Sequence, residues 1–150
     1  MQDSQLIFSD GQAITANATT AASTNVIDLG SLLDHKGTAL LSDGPENADM
    51  RLVISVAVAP TAGTGIQAEL QDCDTEGGTY KATGIGLNDA IPIATLVLGY
   101  EMLNVPLPRG LQRYLRVLYT TTGNHGASAG KVNAAIVNGA TTRNQTPYRA

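Results

Sequence analysis

The sequence predicts an all-β domain, an antiparallel sandwich or barrel, and three observations support this prediction. Apolar and polar side chains alternate along several short segments, which is typical of half-buried strands. Clusters of glycine, proline, asparagine and aspartate separate these segments, as turns do. No window of eleven or more residues shows the i, i+3, i+4 apolar stripe of an amphipathic helix. Short strands joined by turns, without intervening helices, are typical of antiparallel sandwiches and barrels.

Five segments carry the strand pattern clearly, and in chain order they are residues 52–58, 66–70, 103–107, 115–119 and 132–136. Pro60 closes the first segment, and Pro106 lies inside the third. Because proline cannot donate a ladder hydrogen bond, the third strand is expected at a sheet edge or a bulge. The inward-facing positions predict a core formed by Leu52, Ile54, Val56, Leu70, Leu103, Val105, Leu115, Val117 and Ile136.

Turn signals and the weakly patterned ends complete the organisation predicted for a single domain over residues 1–150. Three turns are expected, at Asp43-Gly44-Pro45 and, as hairpin loops, at Gly77-Gly78 and Gly123-Asn124. Residues 1–24 are expected to form an N-terminal arm and covering loop, because 13–24 are rich in Ala, Thr and Asn and only weakly hydrophobic. Residues 141–150 are polar and lack strand periodicity, so we expect a C-terminal tail there.

Composition excludes several classes of function. The chain has 150 residues, a formal net charge of −4 and only 15% charged residues. This acidic balance argues against a nucleic-acid binder, because such proteins draw their affinity from clustered Lys and Arg. The longest apolar runs, such as residues 52–59, are shorter than the ~20 residues of a membrane helix. The N-terminus lacks the basic region of a signal peptide, so we expect synthesis in a cytoplasm and no binding to membranes.

Few side chains are available for catalysis or metal binding, since the chain has two histidines, one cysteine and no tryptophan. His35 and His125 lie in polar, glycine-flanked segments and are expected to be exposed loop residues. The acidic segment 72–78 is similar to the start of a calcium loop, but the glutamate required at loop position twelve would fall on Thr83. An acidic hairpin tip accounts for the same residues, and no metal site is predicted. The lone Cys73 cannot form an intrachain disulfide.

Residues 109–119 combine arginines with tyrosines and allow two interpretations. Stacking rings and cations can bind nucleic-acid bases, and here they would be Arg109, Arg113, Arg116, Tyr114 and Tyr119. Arg and Tyr are also enriched in protein–protein interfaces, which fits the acidic composition better. Several outward-facing positions are apolar too, namely Tyr114 and Leu118, Val53 and Ala57, and Ala135 and Val137. Either both sheet faces are buried within the domain, or another subunit covers one of them.

Five stretches, taken in order, resemble a known protein family. They are residues 5–15 (QLIFSDGQAIT), 22–30 (ASTNVIDLG), 90–100 (AIPIATLVLGY), 107–116 (LPRGLQRYLR) and the terminal Pro147-Tyr148. Together they resemble the small capsid cement, or decoration, proteins of tailed bacteriophages, of the kind typified in a Bordetella podophage. The resemblance extends from about Gln5 to Tyr148. None of the stretches is a catalytic motif, so the ordered set carries the resemblance.

The resemblance implies a jelly-roll β-sandwich with extended N- and C-terminal arms. It implies a non-enzymatic protein with no cofactor and no small-molecule substrate, forming a homo-oligomer that is either a dimer or a trimer. The expected partner is a major capsid protein with the HK97-type fold, assembled into a phage head. The expected location is the outer capsid surface of the virion, where the protein would bridge neighbouring capsid proteins and stabilise the head against internal pressure.

The contact residues expected for such a protein lie at the two chain ends and on one strand face. They are Gln5, Leu6, Ile7 and Phe8, then Tyr114, Arg116 and Leu118, and finally Pro147, Tyr148 and Arg149. Two other classes of function stay open. A carbohydrate- or receptor-binding jelly roll normally shows exposed aromatic platforms or calcium sites, and a small β-barrel enzyme needs a convergent set of His, Asp and Glu residues.

Overall fold

A computed structural model describes residues 6–15, 17–29, 50–108, 110–125 and 130–138. These residues form ten strands, and every strand pair is antiparallel. The strands are β1 (Ile7–Ala13), β2 (Thr20–Ala22), β3 (Ile27–Asp28), β4 (Met50–Val58), β5 (Gly65–Cys73), β6 (Lys81–Gly86), β7 (Ile91–Pro92), β8 (Glu101–Pro106), β9 (Tyr114–Thr122) and β10 (Lys131–Asn138). The predicted all-β, antiparallel fold is confirmed.

The strands form two sheets whose order is that of a jelly roll. The first sheet has the order β1-β10-β4-β8, and the second has the order β2-β9-β5-β6. β3 also pairs with β9, and β7 with β5, so β2–β3 and β6–β7 each behave as one interrupted strand. Counting each as one gives eight strands, ordered 1-8-3-6 and 2-7-4-5. This is the double-sheet arrangement of a jelly roll, as the resemblance implies.

The core lies between the two sheets and contains the residues predicted from alternation. Eight of the nine predicted residues are buried, and Val105 is half-buried and packs against them. Val105 belongs to β8, an edge strand of the first sheet, which agrees with the edge position expected from Pro106. Phe8, Ile14 and Ile27, from the N-terminal segment, also belong to the core, at 0–2% exposure.

The predicted N-terminal arm is wrong over most of its described length. β1 pairs with β10, with Ile7 opposite Ala135, and β2 pairs with β9. The register of β1 shifts at two irregularities, between Ile7 and Ser9 and between Ser9 and Gln12. Such bulges break the two-residue alternation, so the pattern of β1 is hidden in the sequence. Residues 1–5 and the predicted tail, 141–150, lie outside the described residues.

The turns at Gly77 and Gly123 have different roles. Gly77, at φ +72°, lies in the β5–β6 hairpin, as predicted. Gly123 is also expected in a hairpin, and this prediction is wrong because β9 belongs to the second sheet and β10 to the first. The β9–β10 connection therefore crosses from one sheet to the other. A Cβ on Gly123 would lie 2.6 Å from Thr64 Oγ1, so only glycine fits at this crossing. Asp43-Gly44-Pro45 lies outside the described residues.

The strand directions place the connections at two opposite ends of the sandwich. The connections after β1, β4, β7 and β9 lie together at one end. Backbone hydrogen bonds join them, from the Ala18 N–H to the Gly123 carbonyl (2.9 Å) and from the Ile93 N–H to the Thr64 carbonyl (3.1 Å). The opposite end holds the connections after β5 and β8. β1 starts and β10 finishes at that same end.

Candidate interaction surfaces

The predicted N-terminal contact residues lie at the start of β1. Leu6 and Ile7 are half-buried, and Leu6 packs against the core. Phe8 is fully buried, so its predicted role as a contact residue is wrong, because its side chain is part of the core. The Asn25 N–H donates to the Phe8 carbonyl (2.9 Å), which covers the outer edge of β1 at this point. Gln5, Pro147, Tyr148 and Arg149 lie outside the described residues.

Arg116, on the outer face of β9, is engaged by its own chain. Its Nε donates to Gln71 Oε1 (2.9 Å), and its guanidinium carbon lies 4.1 Å from the centroid of the Tyr80 ring. Gln71 Nε2 in turn donates to Glu69 Oε1 (2.8 Å). The result is a continuous network across β9, β5 and Tyr80, which immediately precedes β6. The predicted contact residue Arg116 is therefore held in place before any partner binds.

The remaining aromatic and basic residues of this region do not form one platform. Tyr119 is fully buried, so it cannot stack on a nucleic-acid base. Arg113 makes a bidentate ion pair with Asp28 (2.7 and 2.9 Å), and this hydrogen-bonded pair raises the pKa of Arg113. Arg113 also lies over the Tyr114 ring at 5.0 Å. Tyr114 is buried, with 9% of its surface exposed, and Leu118 is half-buried. This face of β9 is therefore partly covered by other residues of the same chain.

The outer face of the first sheet is apolar in its middle, as the sequence predicts. Val53, Ala57 and Val137 are half-buried there, and Ala135 is 5% exposed. Ala135 lies directly between Val53 and Ile7 in the register, so a small side chain is flanked by two larger ones. A shallow depression of about 170 Å³ forms at this point. Its lining is mixed, with the aliphatic Ile7, Val53, Ala134 and Ala135 beside the polar or charged Ser9, Asp10, Ser55 and Asn133.

The β7–β8 connection carries the most exposed aliphatic side chains of the described residues. Leu98 is 73% exposed and Val97 is 57% exposed. The neighbouring Leu96 is 1% exposed and anchors the connection in the core. The Gly99 N–H donates to the Val56 carbonyl (2.8 Å), and the Tyr100 N–H donates to the Val97 carbonyl (3.0 Å). The sequence pattern does not predict that Val97 and Leu98 are exposed, because residues 90–100 are continuously apolar and do not alternate.

His125 is buried, which overturns its predicted exposure. Its side chain is 0% exposed, and its Nε2 lies 3.2 Å from the Gly65 carbonyl oxygen and 3.1 Å from that of Thr122. Gly63, at φ +95°, leaves the space for the ring, because a Cβ at residue 63 would lie 2.4 Å from Nε2. Polar neighbours in the sequence predict exposure, whereas the crossing between sheets folds His125 inwards. His35 lies outside the described residues.

A comparison with known protein families matches nearly the whole sandwich. A family model described as Bbp16 matches residues 8–136. The chain belongs to the Bbp16 family. The matched range begins in β1 and ends in β10, so the family covers both sheets of the jelly roll. No curated protein matches the chain.

In the acidic hairpin tip of this Bbp16-family protein, the carboxylates of Asp72 and Asp74 accept hydrogen bonds from different groups. Asp72 Oδ2 accepts from the backbone N–H of Gln112 (3.0 Å), and Asp74 Oδ1 accepts from the Thr75 hydroxyl (2.9 Å). The buried Cys73 thiol donates to the Thr75 carbonyl (3.2 Å). Across the described ranges, no group of three or more His, Cys, Asp and Glu residues is arranged to hold a metal ion. In the same ranges, no helix is both long and apolar enough to cross a bilayer.

A buried hydroxyl pair joins the two sheets of the Bbp16-family sandwich. Ser9 Oγ donates to Gln12 Oε1 (2.7 Å) and lies 2.8 Å from Tyr119 Oη, a pair in which either hydroxyl can be the donor. Gln12 Oε1 also accepts from the Thr24 N–H (2.8 Å). Burial raises the pKa of Tyr119 to about 12, and the hydrogen bond with Ser9 opposes part of this shift.

The raised pKa of Tyr119 predicts a loss of stability at alkaline pH. The phenol has an ordinary pKa of 10.0 when unfolded and about 12 when folded, so the fold favours the neutral form. Its contribution is fully present below pH 10 and is lost as the pH rises towards 12, by about 1.4 kcal/mol per pH unit at most. Urea unfolding midpoints of the wild type and Tyr119→Phe, compared across this range, should differ in slope. Parallel pH profiles would contradict this prediction.

Proposed function

We propose that this Bbp16-family protein is a non-enzymatic capsid cement protein of a tailed bacteriophage. The observation that carries the proposal is the family match over residues 8–136, which agrees with the resemblance to the cement protein of a Bordetella podophage. The jelly-roll topology supports it, because that fold is the one the resemblance implies. The proposed partner is a major capsid protein with the HK97-type fold, and the proposed location is the outer surface of the virion.

A cement protein of this kind stabilises the shell by linkage. If it binds the assembled shell and not free capsid subunits, each occupied site adds RT ln(1 + [L]/Kd) to the stability of the assembly. This amounts to about 2.7 kcal/mol when the free protein is at a hundred times its Kd. Attachment at several points raises the effective affinity further, because the second contact forms within an existing complex.

We also propose that the protein is a homo-oligomer, a dimer or a trimer. Support comes from the half-buried Val53, Ala57 and Val137 on the outer face of the first sheet, together with the depression beside Ala135. Apolar residues at the centre of a face are typical of surfaces that another chain covers. Sedimentation velocity of the purified protein distinguishes these states from a monomer.

The terminal segments are the proposed shell contacts, with one change required by the structure. Phe8 belongs to the core, so removing residues 1–8 would damage the fold, whereas residues 1–5 precede the first described core contacts. We expect deletion of 1–5, or of 146–150, to leave the melting temperature nearly unchanged and to weaken shell binding. If both truncated proteins bind shells as tightly as the full chain, the contact lies elsewhere.

Co-sedimentation tests the proposed function directly. Full-length protein is mixed with empty shells assembled from the major capsid protein and, separately, with unassembled capsid subunits. We expect saturable pelleting with the shells and no complex with the subunits. A parallel glycan-binding screen covers the rival carbohydrate-binding function. Glycan binding without shell binding would contradict the proposal.

A further inference from the structure

The first half of β1 departs from a regular ladder with β10. Ile7 lies opposite Ala135 and Ser9 opposite Ala134, so two steps along β1 match only one step along β10. A second irregularity follows between Ser9 and Gln12, where three steps along β1 match two along β10. β1 therefore contains two bulges, and each of them shifts its register against β10 by one residue.

A ladder without these bulges would have a different register and almost the same apolar pattern. Continued one residue at a time from the two pairs at the end of β1, it would place Phe8 opposite Ile136 and Ile7 opposite Val137. Ile136 is buried, and Val137 is half-buried on the outer face of the sheet. Phe8 would still face the core and Ile7 would still face outwards. The apolar residues therefore do not select between the two registers.

Ser9 and Asp10 are the residues whose surroundings differ between the registers. In the regular ladder, Asp10 would take the inward position opposite the buried Ala134, and Ser9 would face outwards. Burying a carboxylate is costly even where a neutral hydroxyl lies within reach, because the charge loses its hydration. In the bulged register Asp10 is exposed, and the buried Ser9 places its Oγ 2.8 Å from Tyr119 Oη.

Two further hydrogen bonds are made at the bulges. Gly11 has φ +59°, a conformation that glycine adopts readily in bulges, and its N–H donates to Asn133 Oδ1 (2.7 Å). Ser9 Oγ donates to Gln12 Oε1 (2.7 Å), which orients the hydroxyl beside Tyr119. The polar contacts of this segment therefore belong to the bulged register.

We infer that Ser9 and Asp10 select the bulged register of β1. Ser9 does so through its buried hydrogen bond with Tyr119, and Asp10 does so because the regular ladder would bury its carboxylate. A single buried polar residue fixes the register of paired elements in the same way in coiled coils. The hydroxyl pair between the two sheets is thus a device that specifies one arrangement of β1.

The register determines the shape of the outer face of the first sheet. Ile7 and Asp10 both line the depression beside Ala135. A regular ladder would move Ile7 from Ala135 to Val137 and would remove Asp10 from this face. The consequence for self-association rests on the proposed homo-oligomer, because that proposal uses the same face. Under it, Ser9 and Asp10 are positioning residues for the contact between copies.

Exchanging the two residues in the full chain tests the inference. Ser9→Asp/Asp10→Ser keeps the composition and the net charge, but only the regular ladder would bring its hydroxyl to Tyr119 and its carboxylate to solvent. We therefore expect the exchange to move β1 into the regular register. Asp10→Ser alone is the matched control, because it removes the carboxylate but keeps the Ser9 hydroxyl, and it should keep the bulged register.

Disulfide trapping measures the register, in a Cys73→Ser background that leaves only the introduced thiols. Ile7→Cys with Ala135→Cys reports the bulged register, and Ile7→Cys with Val137→Cys reports the regular one, because only opposed residues lie close enough to bond. In the native order, the first disulfide should exceed the second by at least about tenfold, and the exchange should reverse this preference. An exchanged chain that keeps the first disulfide would overturn the inference.

A second variant decides the question if the exchanged chain does not fold. Tyr119→Phe/Asp10→Ser removes both preferences without adding a charge to the core, so both disulfides should form. Failure to form the Ile7–Val137 disulfide in this variant would overturn the inference.

Sedimentation velocity separates the register from self-association. We expect the exchanged variant to associate more weakly than the wild type. A reversed disulfide preference with unchanged association would overturn the positioning role of Ser9 and Asp10. A monomeric wild type would overturn the proposed homo-oligomer and that positioning role, while the disulfides would still decide the register.

Discussion

Replacing Ile54 with alanine should lower the free energy of unfolding by about 2–4 kcal/mol. Ile54 is fully buried on β4, which lies between β10 and β8 in the first sheet. Its side chain therefore has no neighbouring solvent, and the rigid sheet on both sides limits collapse into the cavity. The loss combines the transfer free energy of the removed methyl and methylene groups with the cost of that cavity.

Val53→Ala is the matched control, because it removes apolar atoms from the adjacent position of the same strand. Val53 is half-buried on the outer face, so we expect a loss below about 1 kcal/mol. Urea unfolding of both variants gives the two values. A loss below about 0.5 kcal/mol for Ile54→Ala would contradict the two-sheet core.

Gly63→Ala should lower the free energy of unfolding by about 2–5 kcal/mol. Residue 63 has φ +95°, a conformation that L side chains rarely adopt. The added Cβ would also lie within 2.6 Å of three ring atoms of His125. The ring is fully buried and held by Gly65 and Thr122, so it can move only by disturbing the crossing between the sheets.

Gly77→Ala separates backbone strain from steric overlap. Gly77 has φ +72° but no atom within 4 Å of an added Cβ, so its loss should stay near about 1–2 kcal/mol. A double-mutant cycle with His125→Ala gives an independent measure. Removing the ring should recover part of the loss caused by Gly63→Ala, and strict additivity would show that the overlap is unimportant.

Period-two alternation predicts the strands that are regular and central. β4, β5, β9 and β10 show it clearly, and their inward residues contribute most of the core. The sequence of β1 lacks a clear alternation, because the register shifts bury Phe8 and Ser9 in succession. For this reason the segment is predicted as an arm rather than as a strand. β2, β3 and β7 contain two or three residues each, and such short pairings depend on the neighbouring strand rather than on local pattern.

The remaining differences between the sequence-based predictions and the structure arise from contacts between residues that are far apart in sequence. A glycine turn between two strands has the same local signal whether the strands pair or cross between sheets, so Gly123 could not be assigned from its neighbours. His125 is buried only because this crossing brings it to Gly63, which is 62 positions earlier in the chain.

The pairing of β1 with β10 has a consequence for how the protein folds. Ile7 and Ala135 are partners in the first sheet, so β1 cannot complete its pairing before β10 is available. During synthesis on the ribosome, Phe8 cannot reach its final position beside β10 until residues 131–138 have emerged. Native contacts between residues so distant in sequence are closed slowly, and all-β domains of this kind fold in milliseconds to seconds. The first sheet is therefore completed only once β10 is available to lie between β1 and β4.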